Sequence, residues 1–278
     1  MGFMEKLAKA QAANRSLVCV GLDPDLSRFP RSVEEMDEPI FEFNKAIIDA
    51  THDLVCAYKP QIAHYAAESA EAQLESTIAY IKSTCPDVPI ILDAKRGDIG
   101  STAQMYATEA FERYAADAVT VNPYLGFDSL EPFLSYTDRG VIALCRTSNA
   151  GAADLQDLQV DGVPLYEKVA SLAATKWNNH GNLMLVVGAT WPEQLSRIRA
   201  IVGDMPLLVP GAGAQGGDVA KLVQAGQTAA GAGLVINSSR AILYASDGED
   251  FAAAARRETE RLRDEINSHR KGLRSTPG

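Results

Sequence analysis

The densest chemistry in the sequence is the run Asp93-Ala94-Lys95-Arg96-Gly97-Asp98, which directly follows the apolar Ile90-Ile91-Leu92. Strand side chains alternate, so Asp93 and Lys95 share a face, and a turn at Gly97 can bring Asp98 back towards Lys95. An alternation of anion, cation and anion can keep a lysine charged and ready to give up a proton. A further lysine, Lys59, ends the preceding apolar run, and adjacent strand ends would interleave two ammonium groups with two carboxylates. A salt-bridge cluster closing the fold accounts for the same composition equally well.

The second feature is Val209-Pro210-Gly211-Ala212-Gly213-Ala214-Gln215-Gly216-Gly217-Asp218, which contains GxGxxG between an apolar run and a helical stretch. A dinucleotide fold would place an acidic residue at the end of the next strand, but that strand ends Ile236-Asn237-Ser238-Ser239-Arg240. The better account is a phosphate cradle in which N–H groups of Gly216, Gly217, Ser239 and Arg240 converge and the Arg240 fork adds charge. A tight turn of small residues is the structural alternative. The histidines, His52, His64, His180 and His269, show no ligand spacing, and the cysteines, Cys19, Cys56, Cys85 and Cys145, form no CxxC pair, so no metal site is expected. Asp154, Asp157 and Asp161 do not match a calcium loop and read as solvated. No GxSxG elbow supports a serine nucleophile.

These residues need elements that carry them to one place. Short runs rich in Val, Ile and Leu (LVCVGLD, LVCAYKP, VPIILDAK, AVTVNPY, GVIALCRT, LMLVVGAT, PLLVPGAG and GLVINSS) predict eight strands of the kind buried on both faces in parallel sheets. Helical stretches lie between most of them, among them residues 41–54, 65–84, 106–116, 166–179, 191–203 and 217–230. Eight β-α units in 278 residues predict an α/β fold, a single (β/α)8 TIM barrel forming one domain over 1–278, with an exposed helix from Phe251 and a frayed tail from about residue 265. In such barrels chemistry sits where strands end, and here the ends carry Asp23, Lys59, Asp93, Lys95, Thr147, Ser148, Gln215 and Arg240. A net charge of −10 disfavours nucleic acid, no apolar stretch is long enough to span a membrane, and the N-terminus lacks a signal-peptide core, so a cytoplasmic protein is expected.

The ordered motifs GLDPD, AYKPQ, DAKRGDIGST, RTSN, PGAGAQGGD and INSSRAI resemble those of the orotidine 5′-phosphate decarboxylase family, in its longer bacterial subgroup, along nearly the whole chain. The resemblance implies cofactor-independent conversion of orotidine 5′-phosphate to UMP and CO2. By the same resemblance, Asp23 and Lys59 bind ribose hydroxyls, Asp93 faces the substrate carboxylate, and Lys95 protonates C6. Asp98 and Thr102 would come from the second subunit of a homodimer, Ser148 would touch the pyrimidine, Gln215 would link pyrimidine and phosphate, and Arg240 would grip the phosphate. Two rivals are a magnesium-dependent phosphosugar aldolase or decarboxylase of related barrel type and a non-catalytic phosphosugar- or nucleotide-binding barrel. Two lysines alternating with the acids disfavour the magnesium site.

Overall fold

The apolar runs form eight parallel strands: β1 (Val18–Leu22), β2 (Ala57–Pro60), β3 (Ile91–Arg96), β4 (Ala118–Val121), β5 (Gly140–Arg146), β6 (Leu183–Val187), β7 (Leu207–Pro210) and β8 (Leu234–Ser238). The computed structural model describes residues 1–211 and 218–272 of the chain. Hydrogen bonding runs in the order β2-β1-β8-β7-β6-β5-β4-β3, and bridges Tyr58↔Ile90 and Gln61↔Asp93 join β2 to β3, closing the circle. With helices around the outside, this is the (β/α)8 barrel that the strand count predicts.

Alternation within each strand divides the core in two. Cys19, Ala57, Ile91, Ala118, Ile142, Met184, Leu208 and Val235 point inward, while neighbours such as Val18, Val20, Leu92 and Val119 pack outward under the helices. A helix at Phe3–Ala13, unforeseen from the sequence, inserts Phe3 and Leu7 into the inner cluster. A Cβ on Gly140, which opens β5, would stand 2.3 Å from the Phe3 ring. This end of the barrel is therefore plugged, and the buried Lys6 secures the plug through a 2.9 Å ion pair with Asp117.

Two helical expectations need correction. Residues 65–84 do not form one helix: the chain breaks at Ser69, whose φ of 53° is left-handed, separating Ile62–Ala66 from Glu71–Thr84. The last helix, Phe251–Ser268, is not exposed all round and runs past the expected start of the tail. Phe251, Ala255, Thr259, Leu262 and Ile266 form a buried stripe at helical spacing, and the helix packs on Pro39–Thr51. Residues 273–278 lie outside the described residues. No described helix is long and apolar enough to cross a membrane.

Candidate active site

The same alternation that fills the barrel sets its upper end. Two residues beyond inward-facing Ala57, Ile91, Ala118 and Val235 stand Lys59, Asp93, Thr120 and Asn237, and polar groups replace the hydrocarbon layer. Asp23, Lys59, Asp93, Ser148, Asn237 and Arg240 line a cavity of about 220 Å³ at the C-terminal ends of the strands. At its floor the Nζ of buried Lys59 donates to Asp93 Oδ2 at 2.8 Å and lies 4.0 Å from Asp23 Oδ1. Lys95 Nζ donates to the other Asp93 oxygen, Oδ1, at 2.7 Å.

The charges sustain one another. Burial opposes the ammonium of Lys59, but the Asp23 and Asp93 carboxylates outweigh it and hold the group above the ordinary lysine range. Burial also opposes ionisation of Asp93, and Lys59 and Lys95 overcome it, holding this carboxyl well below the usual carboxylate range. Asp93→Asn is thus expected to lower unfolding free energy by about 3–5 kcal/mol near neutrality, as when one member of a buried pair is removed. A depressed folded-state pKa gives stability that is complete above the unfolded value of 3.8 and lost as pH falls towards the folded one. Urea titrations should therefore show the gap between wild type and variant narrowing at about pH 3 relative to pH 7. A gap unchanged with pH would mean that the native carboxylate is not the source of the difference.

The upper part of β3 departs from a regular strand. Its ladder with β4 steps from Leu92↔Val119 to Arg96↔Val121, so four steps along β3 match two along β4. Within this bulge Lys95 has φ 47°, a left-handed conformation costing a non-glycine residue roughly 1–2 kcal/mol. Thr120, which the sequence did not single out, sits opposite: its Oγ1 accepts from the N–H groups of Ala94 and Lys95, both at 2.9 Å, and donates to Asp93 Oδ1 at 2.8 Å. Arg96 turns away from the cavity and makes two 3.0 Å bonds to Glu109 while stacking on Tyr106.

Within one chain Asp98 does not pair with Lys95, although a turn at Gly97 could have brought it back. It accepts from the Ile99 N–H at 2.8 Å and, among the described residues, pairs with no cation. Gly97 lies against Asn122, with only 3.2 Å between an ideal Cβ and the Asn122 Cβ, and the chain then enters the outer helix Gly100–Thr108. The second carboxylate near the lysines within one chain is Asp23. Thr102 lies on the exposed face of that outer helix.

Across the cavity, β8 delivers Ser239 and Arg240 at the start of the helix Arg240–Leu243. Gly21 makes this possible, since a Cβ there would stand 1.9 Å from Ser239 Oγ. Asn237 donates to Ser239 Oγ at 3.2 Å, and its buried Oδ1 lacks a hydrogen-bond partner among the described residues. Ser148 packs on Gly188, where a Cβ would be 2.7 Å away. Gln215, Gly216 and Gly217 lie outside the described residues.

The segment after β5 also corrects one reading: Asp157 is not merely solvated. It pairs with the buried Arg146, Oδ1 to Nε at 3.0 Å, and the Arg146 guanidinium stacks 5.5 Å from the Trp191 ring centre. The neighbouring Gln156 accepts from the Thr147 N–H at 2.8 Å, so this segment fixes the turn that presents Ser148. Neutral polar residues in an apolar run, as at Thr120 and Asn237, were the available sequence signal for the missed positions; Gly21 carried none without its neighbour across β8.

A closed parallel barrel with a lysine–aspartate array at the C-terminal strand ends defines the protein as a (β/α)8-barrel enzyme. The sequence model of the Orotidine 5′-phosphate decarboxylase / HUMPS family matches residues 16–256, and the chain belongs to that family. It is 67% identical over 269 residues to an orotidine 5′-phosphate decarboxylase of Cellvibrio japonicus, covering 96% of this chain and 98% of that one. A Ralstonia pickettii protein of the same name is 61% identical over 270 residues, covering 97% and 100%. Among solved structures, Leishmania donovani OMP decarboxylase superposes with a TM-score of 0.84 at 40% identity, covering 97% of this chain and 98% of that one.

Proposed function

We propose that this single barrel domain catalyses the decarboxylation of orotidine 5′-phosphate to UMP and CO2 in pyrimidine biosynthesis, as a cytoplasmic homodimer and without a cofactor. The observation that carries the mechanism is the Lys59–Asp93–Lys95 array at the mouth of the barrel. Breaking the C6–carboxylate bond leaves its electron pair on C6, where no neighbouring carbonyl accepts it. A cation already in place is the effective remedy, because it needs no reorganisation as charge develops. In this reading Lys95 lies beside that carbon, stabilises the carbanion and delivers an Nζ proton to form the C6–H bond. Bulk water then reprotonates the amine. Asp93 stands against the departing carboxylate and holds both lysines.

Asp23 and Lys59 take the ribose hydroxyls, Ser148 the pyrimidine, and Gln215 the space between pyrimidine and phosphate. Gly216, Gly217, Ser239 and Arg240 receive the phosphate. Metal independence is supported by how Asp93 is used: Oδ2 holds Lys59, while Oδ1 holds Lys95 and Thr120, so a magnesium ion would have to displace an ammonium group. The decisive experiment follows the absorbance of orotidine 5′-phosphate in chelator-containing buffer. Turnover supports both substrate and metal independence; UMP binding without turnover would leave only a nucleotide-binding barrel.

Dimerisation is supported by exposed apolar side chains beside the site. Ile99 and Met105 flank Thr102, and Tyr124 and Leu125 follow the Asn122 on which Gly97 rests. Covering these groups with a second copy would bring Asp98 and Thr102 to the partner's site. Arg240 provides a separate check. It is exposed and forms no ion pair among the described residues, so Arg240→Ala should spare the fold. The variant should weaken apparent affinity for the nucleotide by about 2–3 kcal/mol, the scale of a lost charged hydrogen bond. Orotidine without phosphate should hardly notice the change; equal losses on both compounds would remove Arg240 from the phosphate site.

A further inference from the structure

A threonine hydroxyl has one proton to donate and two lone pairs to offer, and at Thr120 all three are engaged around the bulge of β3. Because that bulge breaks the β3–β4 ladder, the N–H groups of Ala94 and Lys95 need an acceptor other than the β4 backbone. Thr120 Oγ1 supplies it to both. Its own proton goes to Asp93 Oδ1, the oxygen that also receives Lys95 Nζ. One buried hydroxyl therefore controls the backbone from which Lys95 springs and the carboxylate against which its ammonium rests.

We propose that Thr120 is a positioning residue for the decarboxylation, its hydroxyl holding the Lys95 backbone and the Asp93 carboxylate so that the Lys95 ammonium stands at the reacting carbon. The inference rests on the reading of Lys95 as proton donor. General fold maintenance does not require this hydroxyl, because β3 and β4 are joined on both sides of the bulge. Leu92 pairs with Val119 below it; above it Arg96 pairs with Val121, accepts from the Asn122 N–H at 2.7 Å and is anchored by Glu109. The freedom that Thr120 removes is local. The Lys95 side chain is 45% exposed, so its placement depends on the one carboxylate oxygen that Thr120 orients.

The test compares Thr120→Val, which keeps shape and loses the hydroxyl, with Thr120→Ser, which keeps the hydroxyl. For the valine variant kcat should fall on the order of 10- to 100-fold, the scale for a misplaced reacting group. Affinity for UMP, which lacks the carboxylate at C6, should stay within about twofold. The serine variant should retain most of the wild-type kcat. Thr120→Ala, measured alongside, should match valine in kcat, so that poor folding of either one leaves the comparison intact. A valine variant with near wild-type kcat, a serine variant as impaired as valine, or parallel losses of kcat and UMP affinity would each overturn the positioning role. Wild-type protein is assayed in the same series: its failure to consume orotidine 5′-phosphate overturns the functional reading, whereas wild-type turnover with an unaffected valine variant overturns the role of Thr120 alone.

Discussion

Lys95→Ala is expected to abolish decarboxylation while leaving a folded barrel. Lys95 occupies the bulged end of β3 with a half-exposed side chain, and the apolar part of the strand, Ile91 and Leu92, is fully buried and untouched by the change. Asp93 would lose one of its two cations but keep its hydrogen bonds to buried Lys59 and to Thr120, so the floor would remain held together. On the proposed mechanism, what disappears is a preorganised cation together with the proton donor. Each such contribution is worth on the order of 10²–10⁴ in rate, and because the same ammonium group serves both, the combined loss should be at least about 10⁴-fold in kcat. Circular dichroism and UMP binding would establish that the variant is folded and still receives nucleotide. A folded variant with near wild-type turnover would remove Lys95 from the chemistry altogether, and the roles assigned to Asp93 and Thr120 would fall with it.

Much of this arrangement is legible in the sequence, and the reason is physical. A parallel barrel buries both faces of its strands, so a charged residue at the end of a Val- and Ile-rich run is conspicuous; Lys59, Asp93 and Lys95 stand out for that reason. Alternation with the apolar residues below fixes the face of Lys59 and Asp93, whereas Lys95 reaches the same site from a left-handed bulge that alternation does not describe. Thr120 was hidden because a β-branched polar residue suits a strand, and its importance depends on a bulge in the neighbouring strand. Gly21 depends in the same way on Ser239 across the sheet.

Charge alone misled in two places. Asp157 read as solvated because sequence distance says nothing of Arg146, which is buried beneath it. The terminal helix read as exposed because Arg and Glu crowd the sequence around a stripe that includes Ala255, Thr259 and Leu262. Asp98 shows the limit of local reasoning. A glycine permits a turn but does not set its direction, and here the chain runs from Gly97 into the outer helix Gly100–Thr108.

That outward path makes the strongest prediction about assembly. If Asp98 serves a neighbouring subunit across a two-fold axis, each site takes Lys95 from one chain and Asp98 from the other. Homodimers of Lys95→Ala and of Asp98→Ala should both be severely impaired, because every site in either one lacks a member of the network. Mixing them changes the arithmetic. In a heterodimer one site carries both substitutions and the other carries neither, so a statistically exchanged equal mixture should recover roughly a quarter of wild-type activity. The exposed Ile99 and Met105 around Thr102 are the side chains that subunit exchange must uncover and cover again, so exchange should be verified independently with differently tagged copies. Once exchange is established, a mixture that regains no activity would place Asp98 in the service of its own chain, and the shared site would have to be abandoned.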